Sequence, residues 1–130
     1  MFTIIFPVLN ERLRLESGVT RTVEYLRKIA FEDYEIIIVD NGSEDETPQI
    51  AEMLCQKYEK VRYERINVRG VGAAFRRGVE LSHGDVVGYM DIDLSTNIKH
   101  LGEAIHLFET QPQIEYINGR SEERRVGKEC

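Results

Sequence analysis

The sequence predicts an α/β domain in three layers, with helices on both faces of a mostly parallel sheet. Two observations support this prediction. Short runs rich in isoleucine, valine and aromatic residues recur along the chain, and segments with apolar residues at helical spacing separate them. Strands that alternate with helices in this way are typical of parallel sheets with right-handed crossovers.

Five segments are predicted to form strands. The second is a continuous apolar run, which is typical of a strand buried on both faces. The third alternates between apolar and polar residues. The predicted strands are FTIIFPV at 2–8, YEIIIVD at 34–40, VRYERI at 61–66, DVVGYMD at 85–91 and EYIN at 115–118.

Four helices are predicted between these strands. Thr47 is the expected N-cap of the second helix, and Pro48 is its expected first residue. The third helix follows the glycine-containing segment at 67–82. The apolar residues at helical spacing in the other three are Val19, Val23, Leu26 and Ala30; Ile50, Met53, Leu54 and Tyr58; and Ile98, Leu101, Ile105 and Phe108.

The composition is that of one globular domain. The chain has 130 residues, of which 42% are hydrophobic and 31% charged. Its formal net charge of −6 argues against nucleic acid as a partner, because nucleic-acid binding favours a basic surface. Cys55 and Cys130 form no motif, and neither a long apolar run nor a signal peptide is present. We therefore expect a cytoplasmic protein.

Polar clusters follow the first, second and fourth predicted strands, and a glycine loop follows the third. They are PVLNE at 7–11, DNGSED at 40–45 and DIDLS at 91–95. Ligands of an open parallel sheet bind beyond the carboxyl ends of its strands. We therefore expect a ligand site at this edge of the sheet.

Asp91 and Asp93 suggest a metal site. Residues i and i+2 of a strand point to the same side, so the two carboxylates can converge on one target. Neighbouring carboxylates repel each other, and Mg²⁺ or Mn²⁺ removes this repulsion. The alternative is that both acids cap a helix together with Ser95 or Thr96. The position at the end of an apolar parallel strand favours the metal.

Two other interpretations of DIDLST carry less weight. The segment resembles the start of haloacid-dehalogenase-type phosphatases, but that motif usually lies on the first strand, and three strand–helix units precede it here. It is also similar to the first half of a calcium loop. That loop needs glycine at its sixth position and an acid at its twelfth, where this chain has Thr96 and Gly102.

Asp40 ends the predicted buried strand, and Asn41 and Gly42 after it favour a tight turn. A carboxylate at this place can accept two N–H hydrogen bonds from the edge of a nucleotide base. An equally weighted alternative is that Asp40 only caps its own backbone turn.

The glycine loop after the third strand is a weaker indication. Gly70 and Gly72 allow backbone N–H groups to approach a phosphate at the start of a helix. The alternative is an ordinary turn, with Arg69, Arg76 and Arg77 in solvent.

Together the segments IIFPVLNE, YEIIIVDNGSEDETPQIAE and RGVGAAFRRGVELSHGDVVGYMDIDLST resemble the family 2 glycosyltransferases. These enzymes have the Rossmann-like GT-A fold. The resemblance is greatest to the dolichyl- and polyprenyl-phosphate mannose or glucose synthases. Four motifs in the family's order are more specific than D-x-D alone.

The resemblance implies roles for individual residues. It places Pro7, Leu9 and Glu11 against the nucleotide base, Asp40 as the carboxylate that recognises the base, and Gly72 near the nucleotide. It makes Asp91 and Asp93, with Ile92 between them, the D-x-D segment that holds the metal and the diphosphate of the nucleotide-sugar. It adds Ser95 as a further metal ligand. The implied cofactor is Mg²⁺ or Mn²⁺.

The implied reaction transfers a sugar from a UDP- or GDP-sugar with inversion, and polyprenyl phosphate is the expected acceptor. The full-length protein would then be peripheral at the cytoplasmic membrane face. The resemblance covers residues 2–119, and the family's catalytic domain extends further to an acceptor half. We therefore expect residues 1–119 to be a truncated, nucleotide-sugar-binding part, which alone either turns over or only binds.

Residues 120–130 differ from the rest in composition. This tail has one apolar valine and no periodicity. It is either a frayed terminus or a segment foreign to the fold, and we favour the second. Gly119, Arg120 and Ser121 stand where relatives often have Gly-Ser-Arg, so we assign Arg120 no role.

Overall fold

A computed structural model describes residues 1–68, 70–93, 98–110 and 116–118. Within these ranges five strands alternate with four helices, which confirms the predicted order of elements. The strands are β1 (Phe2–Val8), β2 (Tyr34–Asp40), β3 (Val61–Arg65), β4 (Val86–Tyr89) and β5 (Tyr116–Asn118). The helices are α1 (Leu15–Lys28), α2 (Thr47–Lys57), α3 (Val71–Leu81) and α4 (Lys99–Thr110).

The strands form one sheet in the order β3-β2-β1-β4-β5, and every pairing is parallel. The chain moves outward from β1 through β2 to β3 and then returns to the other side of β1 for β4. This reversal creates a topological switch point between the carboxyl ends of β1 and β4. Open parallel sheets bind their ligands at such a point.

Both faces of the sheet carry an apolar core, which confirms the three-layer prediction. Alternate residues of β1 and β2 pack against α1, α2 and α4, and the intervening residues pack against α3. The first core includes Ile4, Phe6, Ile36, Ile38, Leu15, Val19, Ala51, Leu54, Leu101 and Ile105. The second contains Ile5, Ile37, Val39, Ala74 and Val87. Every residue of β2 is buried, as its continuous apolar sequence predicted.

Two local predictions need correction. Thr47 is the first residue of α2 rather than its N-cap, which is Glu46, and Pro48 is therefore the second residue of the helix rather than the first. The hydroxyl oxygen of Thr47 instead accepts a hydrogen bond from the backbone of a distant loop. The fourth strand ends at Tyr89, so Asp91 and Asp93 lie in the turn beyond it rather than on the strand.

No helix in the described part of the chain is both long enough and apolar enough to cross a membrane. Cys55, on α2, is half-buried and forms no disulfide.

Candidate functional site

The turn after β2 is built around Asp40, whose side chain has no exposed surface. Its Oδ1 atom accepts hydrogen bonds from the backbone N–H groups of Gly42, at 3.1 Å, and Ser43, at 2.8 Å. Gly42 has a φ of +96°, which only glycine adopts without strain. The tight turn predicted at Asn41–Gly42 is therefore confirmed.

The second oxygen of Asp40 faces β3. The Tyr63 hydroxyl donates a 2.7 Å hydrogen bond to Oδ2, and a guanidinium nitrogen of Arg65 lies 3.6 Å from the same atom. Burial, followed by the hydrogen bond to Asp40, raises the pKa of Tyr63 well above its usual value. Both carboxylate oxygens thus have partners within the protein. This geometry supports the turn-capping interpretation of Asp40, and base recognition by Asp40 stays a prediction.

The loop after β1 is fastened to the turn after β2 by a reciprocal pair of hydrogen bonds. The backbone N–H of Asn10 donates to Oγ of Ser43 at 2.7 Å, and the backbone N–H of Glu44 donates to Oδ1 of Asn10 at 2.8 Å. Asn10 has a φ of +53°, a conformation that asparagine tolerates better than most residues. The two polar loops therefore form one unit.

Two more contacts extend this unit to the start of α2. The backbone N–H of Glu11 donates to Oγ1 of the fully buried Thr47 at 2.8 Å. The backbone N–H of Arg12 donates to Oδ2 of Asp45 at 3.3 Å. Because both bonds use the backbone of the β1 loop, they fix the Cα positions from which its side chains project.

The residues expected at the nucleotide base lie along this loop. Pro7 is opposite Val39 in the sheet, and Leu9 follows the end of β1; both are half-buried. The half-buried carboxylate of Glu11 accepts a 2.9 Å hydrogen bond from Nε of Arg14. This bond raises the pKa of the exposed Arg14 guanidinium.

Asn41 ties the glycine loop to the same unit. Its side-chain amide donates to the carbonyl oxygens of Val68, at 2.8 Å, and Gly70, at 3.1 Å. Gly70 has a φ of +114° and directly precedes α3. Gly72 is the second residue of α3, and a Cβ there would have no neighbour within 4 Å. The start of α3 is therefore open to a ligand, and the role of Gly72 stays a prediction.

The acid turn, which we define as Asp91–Asp93, lies across the switch point from the β1 loop. Asp91 is half-buried, Ile92 is 3% exposed and belongs to the larger core, and Asp93 is exposed. Glu11 is the main cause of the raised pKa of Arg14, and Asp93 makes a smaller contribution. Ser95, the third predicted metal ligand, lies outside the described residues.

The donor set of the acid turn fits a hard divalent cation. Among the described residues, no group of three or more histidine, cysteine, aspartate or glutamate side chains is arranged to hold a metal ion. Mg²⁺, however, is usually held by one or two carboxylates, with water and substrate phosphates as its other ligands. Asp91 and Asp93 supply two carboxylates, so they fit a cation whose remaining ligands come from a bound diphosphate.

Two other cavities lie near the amino end of the sheet. One, of about 640 Å³, is between α1 and α4, and the other, of about 300 Å³, is next to the start of β2. Neither is lined by a residue of the loops described above. Topology and polar chemistry, rather than cavity size, therefore locate the candidate site.

The sequence did not indicate the contacts by which several residues build this site. Asn10, Ser43 and Thr47 join two loops that are more than 30 residues apart. Tyr63 and Asn41 join Asp40 and the glycine loop to their surroundings. Knowledge of the pairing register between β2 and β3 would have predicted the contact of Tyr63 with Asp40. Arg65 pairs with Asp40, and Tyr63 lies two residues earlier, with its side chain on the same side of the sheet.

Comparison with known proteins shows the family to which this chain belongs. Residues 3–126 match the family Glycosyl transferase family 2, and the chain belongs to this family. The match decides against the phosphatase interpretation. It extends into the segment at 120–130, whose structure lies outside the described residues.

Particular relatives support the same assignment. The chain is 35% identical over 105 residues to glycosyltransferase AglD of Haloferax volcanii, covering 79% of this chain and 17% of that protein. It is 39% identical over 101 residues to dolichyl-phosphate beta-glucosyltransferase of Mus musculus, covering 72% and 31%. The chain thus spans less than a third of either relative.

A solved structure shares the fold. Mannosyltransferase PcManGT from Pyrobaculum calidifontis, in complex with GDP-Man and Mn²⁺, superposes with a TM-score of 0.70 at 21% identity. The match covers 87% of this chain and 33% of that protein. The predicted GT-A fold is therefore confirmed.

Proposed function

We propose that this chain is the nucleotide-sugar-binding part of a metal-dependent glycosyltransferase that transfers a sugar to an acceptor with inversion. The observation that carries the proposal is the placement of the acid turn across the switch point from the fastened β1 and β2 loops, in a chain of glycosyltransferase family 2. One side of this crevice offers carboxylates for a cation. The other offers a rigid polar surface for a base.

Asp91 and Asp93 hold Mg²⁺ or Mn²⁺ together with the diphosphate, and Ser95 adds a third ligand. The bound cation supplies Lewis-acid stabilisation of the negative charge that develops on the departing nucleoside diphosphate. The buried Ile92 keeps the two acids at a fixed separation from the sheet, because its side chain is held in the larger core. The complex of PcManGT with GDP-Man and Mn²⁺ supports this assignment.

The β1 and β2 loops bind and orient the nucleoside. Pro7 and Leu9 present partly exposed apolar surface to the base, and Glu11 presents a carboxylate whose orientation Arg14 sets. Asp40 shapes the turn beside them, and its recognition of the base would require one of its oxygens to exchange a protein partner for the base. The open start of α3 at Gly72 allows the nucleotide to approach the backbone. Because these loops share hydrogen bonds, their backbones are held in place before the nucleotide binds.

Polyprenyl phosphate is the proposed acceptor, because the Mus musculus relative is named a dolichyl-phosphate glucosyltransferase. A phosphate acceptor is already anionic, so it needs less assistance from a general base than a sugar hydroxyl. Attack from the face opposite the leaving group gives inversion. This acceptor places the whole protein at the cytoplasmic membrane surface.

A second candidate is a chain that binds nucleotide-sugar without turnover. It is favoured by the small share of each relative that this chain matches, since both relatives are at least three times as long as the matched part. Product formation separates the two candidates, whereas nucleotide affinity supports both.

Isothermal titration calorimetry of the chain with UDP-glucose and GDP-mannose, each with and without Mn²⁺, tests the proposal. We expect one of the two to bind, and to bind more tightly when Mn²⁺ is present. Binding of neither, or equal affinity with and without the metal, would contradict it. Addition of dolichyl phosphate and detection of a glycosylated lipid then measures turnover.

A further inference from the structure

Gly18 of α1 lies directly against the acid turn. It is buried, and a Cβ atom built on it would be 2.3 Å from the carbonyl oxygen of Ile92. The same atom would be 2.8 Å from Cδ1 and 3.0 Å from Cγ1 of Ile92. A Cβ atom in a protein does not come this close to a non-bonded carbon or oxygen atom, so the helix backbone and the turn are in contact with no room for a side chain.

The part of the turn that Gly18 contacts is the peptide group that joins Ile92 to Asp93. A flexible side chain adjusts to a new methyl group by changing its rotamer, but a backbone carbonyl moves only if the whole turn moves. Any displacement of the Ile92 carbonyl therefore displaces Asp91 or Asp93. Gly18 is placed to control both carboxylates through a single contact.

The same helix also anchors the β1 loop. The carbonyl oxygen of Glu11 accepts hydrogen bonds from the backbone N–H groups of Arg14, at 3.0 Å, and Leu15, at 2.9 Å, so the loop is continuous with the first turn of α1. Gly18 follows one turn after Leu15 on the same buried face, and the Thr22 hydroxyl donates to its carbonyl at 2.9 Å. A rigid helix thus joins the base side of the crevice to the acid turn.

We propose that Gly18 is a positioning residue that sets the distance between the acid turn and the β1 loop, and through it the geometry in which Asp91 and Asp93 meet the metal and diphosphate. This inference rests on the proposed function. It assigns no contact between Gly18 and substrate. It predicts that the absence of a side chain at residue 18 matters for metal-dependent binding more than for helix formation.

Gly18→Ala is the test variant. Alanine favours a helix interior over glycine, so without the Ile92 contact the substitution would stabilise α1. Ser17→Ala, at the exposed neighbouring position, is the matched control on the same helix. Ile36→Val, in the larger core and outside the candidate site, serves as a control for general loss of stability.

The first readout needs no ligand. Backbone amide chemical shifts in Gly18→Ala are expected to change at residues 91–93 and to change far less across β2 and β3. Ser17→Ala and Ile36→Val are expected to leave the shifts of the acid turn unchanged. An acid turn with unaltered shifts in a folded Gly18→Ala chain would overturn the inference. In the unmodified chain, a nuclear Overhauser contact between Gly18 Hα and the Ile92 δ1 methyl is expected, and its absence would equally overturn it.

The second readout is the Mn²⁺-dependent part of nucleotide affinity, measured with GDP-mannose and UDP-glucose. Mutation of residues that support metal ligands typically reduces metal affinity about 10- to 100-fold. In Gly18→Ala we expect the increase in nucleotide affinity on adding Mn²⁺ to fall at least about 10-fold. The affinity measured without metal should stay near that of the unmodified chain. An equal loss in Ile36→Val would show that stability alone is responsible. Lack of metal-dependent binding in the unmodified chain would instead count against the proposed function, and the ligand-free shifts would still decide the role of Gly18.

Discussion

The hydroxyl of Tyr63 on β3 donates a 2.7 Å hydrogen bond to the fully buried Oδ2 atom of Asp40 at the end of β2. This bond crosses between neighbouring strands at the edge of the sheet where the candidate site lies. It gives a buried carboxylate a neutral donor in addition to the more distant Arg65. The stability of the turn after β2 therefore depends in part on a residue of β3.

Tyr63→Phe is expected to destabilise the protein by about 1.5 to 3 kcal/mol, the usual contribution of a hydrogen bond to a charged group. The ring is kept, so lost apolar contact does not contribute. Chemical denaturation measures the change in the free energy of unfolding. Tyr58→Phe makes the same chemical change where the described structure shows no hydrogen bond from the hydroxyl, and it should cost much less. Equal losses in the two variants would refute the role of the Asp40 contact.

Thr47→Val tests the junction between the β1 loop and α2. Valine has nearly the same shape but cannot accept the hydrogen bond from the backbone N–H of Glu11. We expect a loss of about 1 kcal/mol of stability, together with weaker nucleotide binding, because the loop that carries Glu11 is loosened. Calorimetric titration and thermal denaturation measure the two effects. Thr20→Val, on a partly exposed part of α1, is the control and should leave nucleotide affinity unchanged.

The environment of Glu35 leads us to expect that the free energy of unfolding decreases in acid. Burial raises the pKa of its carboxyl, but hydrogen bonds from the backbone and ring of His83, from Thr3 and from Arg62 outweigh burial and hold the pKa below its ordinary value of 4.5. A carboxyl whose pKa is lowered by folding contributes stability above its unfolded pKa, and this contribution is lost as pH falls through the folded pKa.

Glu35→Gln should therefore lower stability by about 2 kcal/mol near neutral pH and make the decline of stability between about pH 5 and about pH 3 shallower than in the unmodified chain. Unfolding free energies measured across this range test the slope. The exposed Glu59→Gln is the matched control. Parallel curves for Glu35→Gln and the unmodified chain would argue against an ionised Glu35 in this cluster.

Much of the fold was predictable because apolar periodicity is a local property of the sequence. The run at residues 34–40 indicated a strand buried on both faces, and β2 has these bounds in the structure. The location of the site was predictable for a related reason, since parallel topology brings the carboxyl ends of all strands to one edge.

The contacts within the site were not predictable, because they depend on how distant loops meet. A local rule made Thr47 a helix cap, yet its hydroxyl serves Glu11, 36 residues away. Strand periodicity placed Asp91 and Asp93 on one side of β4, but the strand ends at Tyr89. The contact between Gly18 and Ile92 left no local pattern at all, because a glycine inside a helix gives no indication of what approaches it.

The most direct test of the central claim is the Mn²⁺ dependence of nucleotide-sugar affinity in Asp91→Asn and Asp93→Asn. Asp85→Asn, at the amino end of β4 and exposed, is the matched control. If the acid turn holds the metal and diphosphate, each substitution in the turn should abolish the gain in GDP-mannose or UDP-glucose affinity on adding Mn²⁺, and the control should keep it. An undiminished gain in both acid-turn variants would contradict the account.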